Sequence, residues 1–375
     1  RGIKDAEQFI TPQDYDFRKL KSNFSFKAPI FRHSLRLTLT RLIGYIVGLT
    51  LELQQPYWIL LTIVVIMRPS YSLTKERSKS RVVGTLIGAV VGIGIIFLTQ
   101  NIVVYILIAS LSLIIGFSLV KQNYRNGAAF ITLYVIFMYA TIHPNILTVI
   151  EFRVYDTLIG STLAFIGNYL FWPAWEAKSI KEFFSNSLNG FSDYLKQIDN
   201  LYHVKGEAST ELKLARKEAF LQVGNLNAAY QRLVQEPKSK QKNVATIYEL
   251  ITICNTYLSA LSSLGMFFRT NKTGEVPVQF EVFVKHILSN LENAINVLNN
   301  KDVESYLKND DLLNAKKNYI DNFQSLSSQS DTEIEKGLPI SKETKEQLHE
   351  TQLVFEELRW LYNLSDNLVK KVKQI

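Results

Sequence analysis

Residues 35–172 form an almost unbroken series of apolar runs, and that series limits the chain more than any other feature. A bilayer's hydrocarbon core is about 30 Å thick and takes roughly 20 residues of helix to cross. Six candidate spans can be read, at about 35–53, 56–68, 82–99, 102–120, 127–143 and 154–172. The second is the odd one. Pro56 and Pro69 bound it, Thr62 is its only polar side chain from Trp58 to Met67, and Arg68 closes its inner end. At 1.5 Å per residue the span between the prolines reaches roughly 18–20 Å. That is too short to cross alone unless Gln54, Gln55 or Arg68 lies at membrane depth. Two readings stand: a discontinuous helix beside a substrate path, as transporters build, or a tilted ordinary span whose Arg68 snorkels to the headgroups.

The connections sort by charge. The lead-in 1–33, the stretch Arg68 to Arg81 (with Lys75, Arg77 and Lys79), the 121–126 connection with Lys121 and Arg125, and the C-terminal half are basic. The alternate connections, near Glu52 to Gln55, Gln100-Asn101 and His143 to Glu151, are nearly free of Lys and Arg. Excess Lys and Arg mark cytoplasmic loops, so both ends are expected in the cytoplasm, as an even number of spans also requires. The formal net charge of +8 therefore reads as topology, and no nucleic-acid partner is expected. The expected division is 1–33 as an interfacial lead-in, 34–173 as a six-span domain and 174–375 as a cytoplasmic helical domain. The chain begins at Arg1 and is expected to be the C-terminal part of a longer protein.

Polar residues inside spans are costly and therefore informative. Arg36 and Arg41 lie on the first span, and Asn168 lies in the sixth, where an interhelical hydrogen bond is the common role. Arg153 and Asp156 are three apart on one helix face; they either satisfy each other or place Asp156 toward a central cavity. Gly84, Gly88 and Gly92 recur every four residues, a face that lets another helix come close. Tyr57, Trp58 and Trp172 fall at predicted interfaces. His33 and His143 lack metal-ligand spacing, so no metal is expected. Cys254 is the single cysteine, which rules out an intrachain disulfide; an inert buried thiol is expected.

After Trp172-Pro173 the period becomes helical and amphipathic, with Ile180, Phe184, Leu188, Phe191 and Leu195 on one face. Helices are expected over about 208–235, 243–269, 278–299, 301–323 and 342–373, with 243–269 apolar enough to be central. Gln324 to Ser341, Ser-rich and polar, reads as a loop. The fold class expected is thus all-α: an integral membrane six-helix domain followed by a cytoplasmic helical bundle. No phosphate-binding glycine loop or hydrolase motif is present, so neither an enzyme nor a cofactor is expected.

Phe31-Arg-His-Ser-Leu-Arg36, Tyr57-Trp-Ile-Leu-Leu-Thr62, Arg68-Pro-Ser-Tyr71, Arg81-Val-Val-Gly-Thr-Leu-Ile-Gly88, Phe130-Ile-Thr-Leu133 and Asp156-Thr-Leu-Ile-Gly160 carry a resemblance. So do Asn123-Tyr124 and Arg216-Lys-Glu-Ala219 through Glu236-Pro237. Over roughly 28–240 the chain resembles the fusaric-acid-resistance-like (FUSC) membrane family, in its YccS/YhfK-like bacterial branch, and looks like the second of two repeats. The resemblance implies a bacterial inner-membrane protein that exports or passes organic anions, since the family is linked to aromatic-acid exporters and more distantly to plant malate channels. Arg36, Arg41, Arg68, Arg81, Lys121 and Arg125 would gather anions at the cytoplasmic side. Tyr57 and Trp58 would line the outer end, Asp156 would couple or gate, and Arg153 would lie on the same pathway. Gly84, Gly88, Gly92 and Gly160 would serve helix packing. The expected partners are the bilayer, a small organic anion, and either a second copy or a missing N-terminal repeat. A different class stays open: a membrane-anchored scaffold whose helical domain recruits a partner without conduction. An intramembrane enzyme lacks a nucleophile–base pair.

Overall fold

The computed structural model describes residues 24–26, 28–53, 55–142, 146–205, 209–271, 273–301, 309–335 and 341–375. Most of the basic lead-in, including Lys19, Lys21 and Lys27, lies outside the described residues, as do Gln54 and His143. Twelve helices form among the described residues, and they fall into two compact units that divide between Trp175 and Glu176.

The first unit holds α1 (Pro29–Thr50), α2 (Tyr57–Ile66), α3 (Tyr71–Leu98), α4 (Ile102–Leu119), α5 (Tyr124–Ala140) and α6 (Ile146–Leu170). Local chemistry sets their starts. Pro29 opens α1, where its missing N–H costs nothing. Asn101 and Asn123 accept backbone N–H bonds from Val103 and Asn126 and so cap α4 and α5. Helices α1 and α2 run antiparallel, as do α4 and α5: Gly44 faces Ile63 while Gly48 faces Pro56, and Gly116 faces Ile131 while Gly127 faces Val120. Helices α3 and α5 run parallel, with Gly84 on Ala128, Gly88 on Thr132 and Gly92 on Ile136. Helices α1, α2 and α6 pack on one another, α5 packs on both α3 and α4, and the two groups of three meet chiefly where α3 lies along α6.

Arg68 to Arg81, expected as a basic connection, is helical from Tyr71 onward. Lys75, Glu76, Arg77 and Lys79 are good helix formers or tolerated ones, and the break falls earlier, at Pro69. Two of the six candidate spans, α3 and α4, are long and apolar enough to cross a membrane by composition alone. Helix α2 is too short at 10 residues, α1 and α6 carry charges, and α5 stops at 17 residues.

The second unit holds α7 (Glu176–Val204), α8 (Thr210–Leu233), α9 (Val244–Thr270), α10 (Val278–Leu298), α11 (Asn309–Glu335) and α12 (Lys342–Val372). One continuous apolar core joins all six, from Ile180 and Phe184 on α7 to Leu361 and Leu368 on α12. Helix α9 is also long and apolar enough to cross a membrane, yet 56% of its most apolar window is buried by its own unit, against 33% for α3 and 22% for α4. It is one helix of the bundle, and Cys254 is buried within it. The expected loop from Gln324 is helical as far as Glu335. Its serine and threonine hydroxyls bond back to carbonyls four residues earlier, Ser328 to Gln324 and Thr332 to Ser328, so they do not compete with the helix.

The N-terminus of α7 is capped from a distance. Glu236 Oε1 accepts the Glu176 N–H at 2.6 Å, while the Glu176 carboxylate takes Arg232 in a forked pair at 2.7 and 3.2 Å. Burial pushes the Glu236 carboxyl above the usual glutamate range, against the pull of the helix N–H groups it caps.

Candidate functional site

In the first unit α1, α3 and α6 turn mainly small and polar side chains inward, while α2 and α5 also bury large apolar ones such as Ile63 and Phe137. The buried positions of α1 are Arg36, Thr40, Gly44 and Gly48, one every four residues. Those of α3 include Ser72, Thr74, Ser78, Arg81, Gly84, Thr85 and Gly88. Along α6 the buried stripe reads Arg153, Asp156, Thr157, Gly160, Ser161, Ala164, Gly167 and Asn168. Leu42, Ile46, Leu49, Val90, Leu107 and Ile114 are exposed on the opposite faces. Glycine is required where backbones nearly touch: a Cβ on Gly84 would stand 2.5 Å from the Arg125 carbonyl oxygen, and one on Gly88 would stand 2.6 Å from that of Ala129. Gly92 faces the Ile136 side chain, and Gly160 lies against Thr62 and the Ile59 carbonyl.

At one end of the stripe the helical ladder stops at Ile66, and Met67 to Ser70 run on without it. Unladdered carbonyls inside an apolar unit need side-chain partners. Arg36 provides them, donating from Nη1 to the Pro69 carbonyl at 3.3 Å and from Nη2 to the Trp172 carbonyl at 2.8 Å. Its Nη1 also donates to Asn168 Oδ1, and Asn168 Nδ2 donates to the Ser70 carbonyl at 3.3 Å. Thr74 Oγ1 closes the turn by accepting the Arg68 N–H at 2.9 Å. Ser70 then pairs with Ala174 in a single parallel bridge. Arg36, although 1% exposed, thus has both terminal guanidinium nitrogens engaged in holding the broken stretch.

Further along α6 the polar groups lose their partners. Arg81, Arg153 and Asp156 are 3%, 3% and 1% exposed. Among the described residues, Arg81 Nε, Arg153 Nε and Nη1, Asp156 Oδ1, Thr62 Oγ1, Thr157 Oγ1 and Ser161 Oγ have no hydrogen-bond partner. The Arg153 guanidinium lies over the Trp58 ring at 3.9 Å and close enough to Arg81 and Asp156 for the charges to act on one another. Beside it, the Tyr57 and Tyr139 hydroxyls share a hydrogen bond of 3.0 Å. Ser78 donates to the Ser161 carbonyl at 3.0 Å, which fixes α3 against α6 one turn from Arg81. From Arg153 to Asn168 the α6 rise is about 22 Å.

Of the residues expected at a pathway, the structure brings Arg81, Arg153, Asp156 and Trp58 together, with Tyr57 at the rim. Arg41, Lys121 and Arg125 are exposed on outer surfaces, and Arg68 is half-buried beside Arg77, Arg81 and Tyr124. The sequence reading singled out Thr62 but missed Thr40, Ser78, Thr85, Thr132, Thr157 and Ser161. Their signal was present: on α1, α3 and α6 each hydroxyl except that of Ser161, which adjoins Gly160, falls three or four residues from a buried glycine or charge on its own helix. Apolar surfaces turned outward around buried charges define a multi-pass membrane protein.

Comparison with known proteins narrows that class. The model of the fusaric acid resistance protein-like family matches residues 39–167, and over that stretch the chain is similar to that family. The inner membrane protein YccS of Escherichia coli is 25% identical over 247 residues, 66% of this chain and 34% of its own length. The uncharacterized protein slr1298 of Synechocystis is 25% identical over 353 residues, 92% of this chain and 45% of its own length. The uncharacterized protein YhfK of Escherichia coli is 26% identical over 182 residues, 48% of this chain and 26% of its own length. The chain thus spans less than half the length of these relatives.

Proposed function

We propose that the first unit passes or exports small organic anions across a bacterial inner membrane, along the seam where α3 meets α6. In this reading α1 to α6 are six spans, both ends of the chain face the cytoplasm, and α7 to α12 form a cytoplasmic domain. The observation that carries it is the trio Arg81, Arg153 and Asp156, buried in an apolar unit with several polar atoms lacking partners among the described residues. Ionisable groups at membrane depth are expensive, and they persist where they serve a pathway. Arg153 has both Arg81 and Asp156 within charge range, so among the three one positive charge is left to meet a carboxylate cargo, and the planar fork of arginine suits that partner. A cargo anion competes with Asp156 for the arginines, which gives the acid its gating role. The rings of Tyr57, Trp58 and Tyr139 offer an aromatic cargo a surface at the outer end.

The test is flux of a radiolabelled benzoate-type anion in proteoliposomes. Arg81→Gln and Arg153→Gln are expected to lower flux about tenfold or more, the loss of a charge-assisted bond, with insertion intact. The exposed Leu107→Ala is expected to leave it unchanged. Wild-type flux in both arginine variants would remove the seam from the mechanism.

A further inference from the structure

The second unit carries a site that transport does not use. Between α7, α8 and α9 lies a cavity with about 30 Å³ of room for the centres of water-sized molecules. One water needs about 10–15 Å³ by that measure, so the space suits one tetrahedral oxyanion. Tyr194, Lys213, Arg216, Ser262, Gly265 and Arg269 are among the lining residues, and none of the described lining residues is acidic.

Each polar group there is without a carboxylate. Arg269 Nη2 reaches only the Met266 sulfur, at 3.2 Å, and the Arg216 guanidinium lies 5.6 Å from the Phe220 ring centre. Among the described residues, Lys213, Arg216 and Arg269 close no ion pair. Both arginines act electrostatically on Tyr194, a residue only 3% exposed whose hydroxyl faces Ser262. Ser262 Oγ is itself buried with no hydrogen-bond partner among the described residues. Gly265 keeps this corner open, because a Cβ there would stand 3.1 Å from the Tyr194 hydroxyl oxygen. The Arg216–Ala219 stretch does two jobs: Ala219 lies where α8 closes on Gly190 of α7, and Arg216 reaches the cavity one turn earlier.

We propose that this cavity binds a phosphate group. Three cations and two hydroxyl donors exceed what one carboxylate can match, whereas a phosphate dianion offers several acceptor oxygens and the compensating charge. The group can come from inorganic phosphate or from a phosphomonoester whose remainder extends into solvent.

The test is calorimetric titration of the full chain in detergent micelles with inorganic phosphate, glycerol 3-phosphate and benzoate. Wild type is expected to bind a phosphate saturably, and Arg216→Gln and Arg269→Gln are each expected to weaken it about tenfold. Gly265→Ala, which crowds Tyr194, and Tyr194→Phe, which keeps the ring, are expected to weaken it too, with helicity checked by circular dichroism. Tighter glycerol 3-phosphate assigns the ester as source, and equal binding assigns the free ion. Absence of saturable phosphate binding to wild type, unchanged affinity in both arginine variants, or benzoate binding as tightly as phosphate would each overturn the proposal.

Discussion

The two units of this chain bury opposite kinds of side chain. In the bundle of α7 to α12, phenylalanine, leucine and tyrosine fill one core; Tyr202 stacks on Phe268 at 4.1 Å and Phe191 meets Tyr257 at 4.9 Å. Its buried Glu176 is tied to Arg232, and Asn290 donates to Ser365 at 3.0 Å. The unit of α1 to α6 has only small separate apolar clusters, such as Ile59, Ile63, Ile66, Met67 and Ala164, and keeps glycine, threonine and charge between its helices. On the proposed reading the difference is one of solvent: water would drive leucine inward in the bundle, whereas lipid is as apolar as leucine and rewards close backbone packing instead.

The largest effect expected from this contrast comes from one substitution made twice. Leu261→Ala in the bundle, at a fully buried position, is expected to cost about 2–5 kcal/mol. Leu107→Ala, 64% exposed on α4, is expected to be near neutral in lipid. Thermal unfolding in nanodiscs reads both, and equal losses would break the comparison. Glycine gives the reverse pair. Gly88→Ala drives a methyl onto the Ala129 carbonyl and is expected to destabilise by about 1–3 kcal/mol. Gly224→Ala, with nothing within 4 Å, is expected to stabilise α8 by about 0.5–1 kcal/mol. The smallest effect concerns pH. Because burial raises the Glu236 carboxyl, the folded bundle holds that proton more tightly than the unfolded chain. That stability is complete below the ordinary glutamate range and is lost as pH rises through the raised value. Glu236→Gln keeps the oxygen that caps α7, so the unfolding midpoint is expected to fall less steeply with pH than in wild type. Matching slopes would show that the carboxyl does not titrate as its burial requires.

Much of the helical architecture was legible because period and punctuation agree: Pro56 and Pro69 enclose α2, and the four-residue glycine repeat marks the face of α3 that meets α5. The interior of the apolar unit was harder to read, since a run of leucine and isoleucine looks alike on both faces. Arg41 shows the difficulty. It lies five residues after Arg36, about 140° around the helix, which puts it off the Arg36–Thr40–Gly44 stripe and onto the outer surface. Charge alone ranked the two together; only the phase of the small residues separates them. The roles of Arg36 and Arg81 were equally out of reach, because one finds carbonyls 33 and 136 residues away while the other finds none among the described residues.

The bracing of Met67 to Ser70 has a mechanical consequence. Side chains from α1 and α6 grip carbonyls in the gap below α2 and just beyond α6, so a push on any of the three is transmitted to the others as to one solid piece. A shear of that block against α3, α4 and α5 would have to break the Ser78 to Ser161 bond. Such a motion would slide Arg81 past Arg153 and Asp156, and so re-sort which charges face each other.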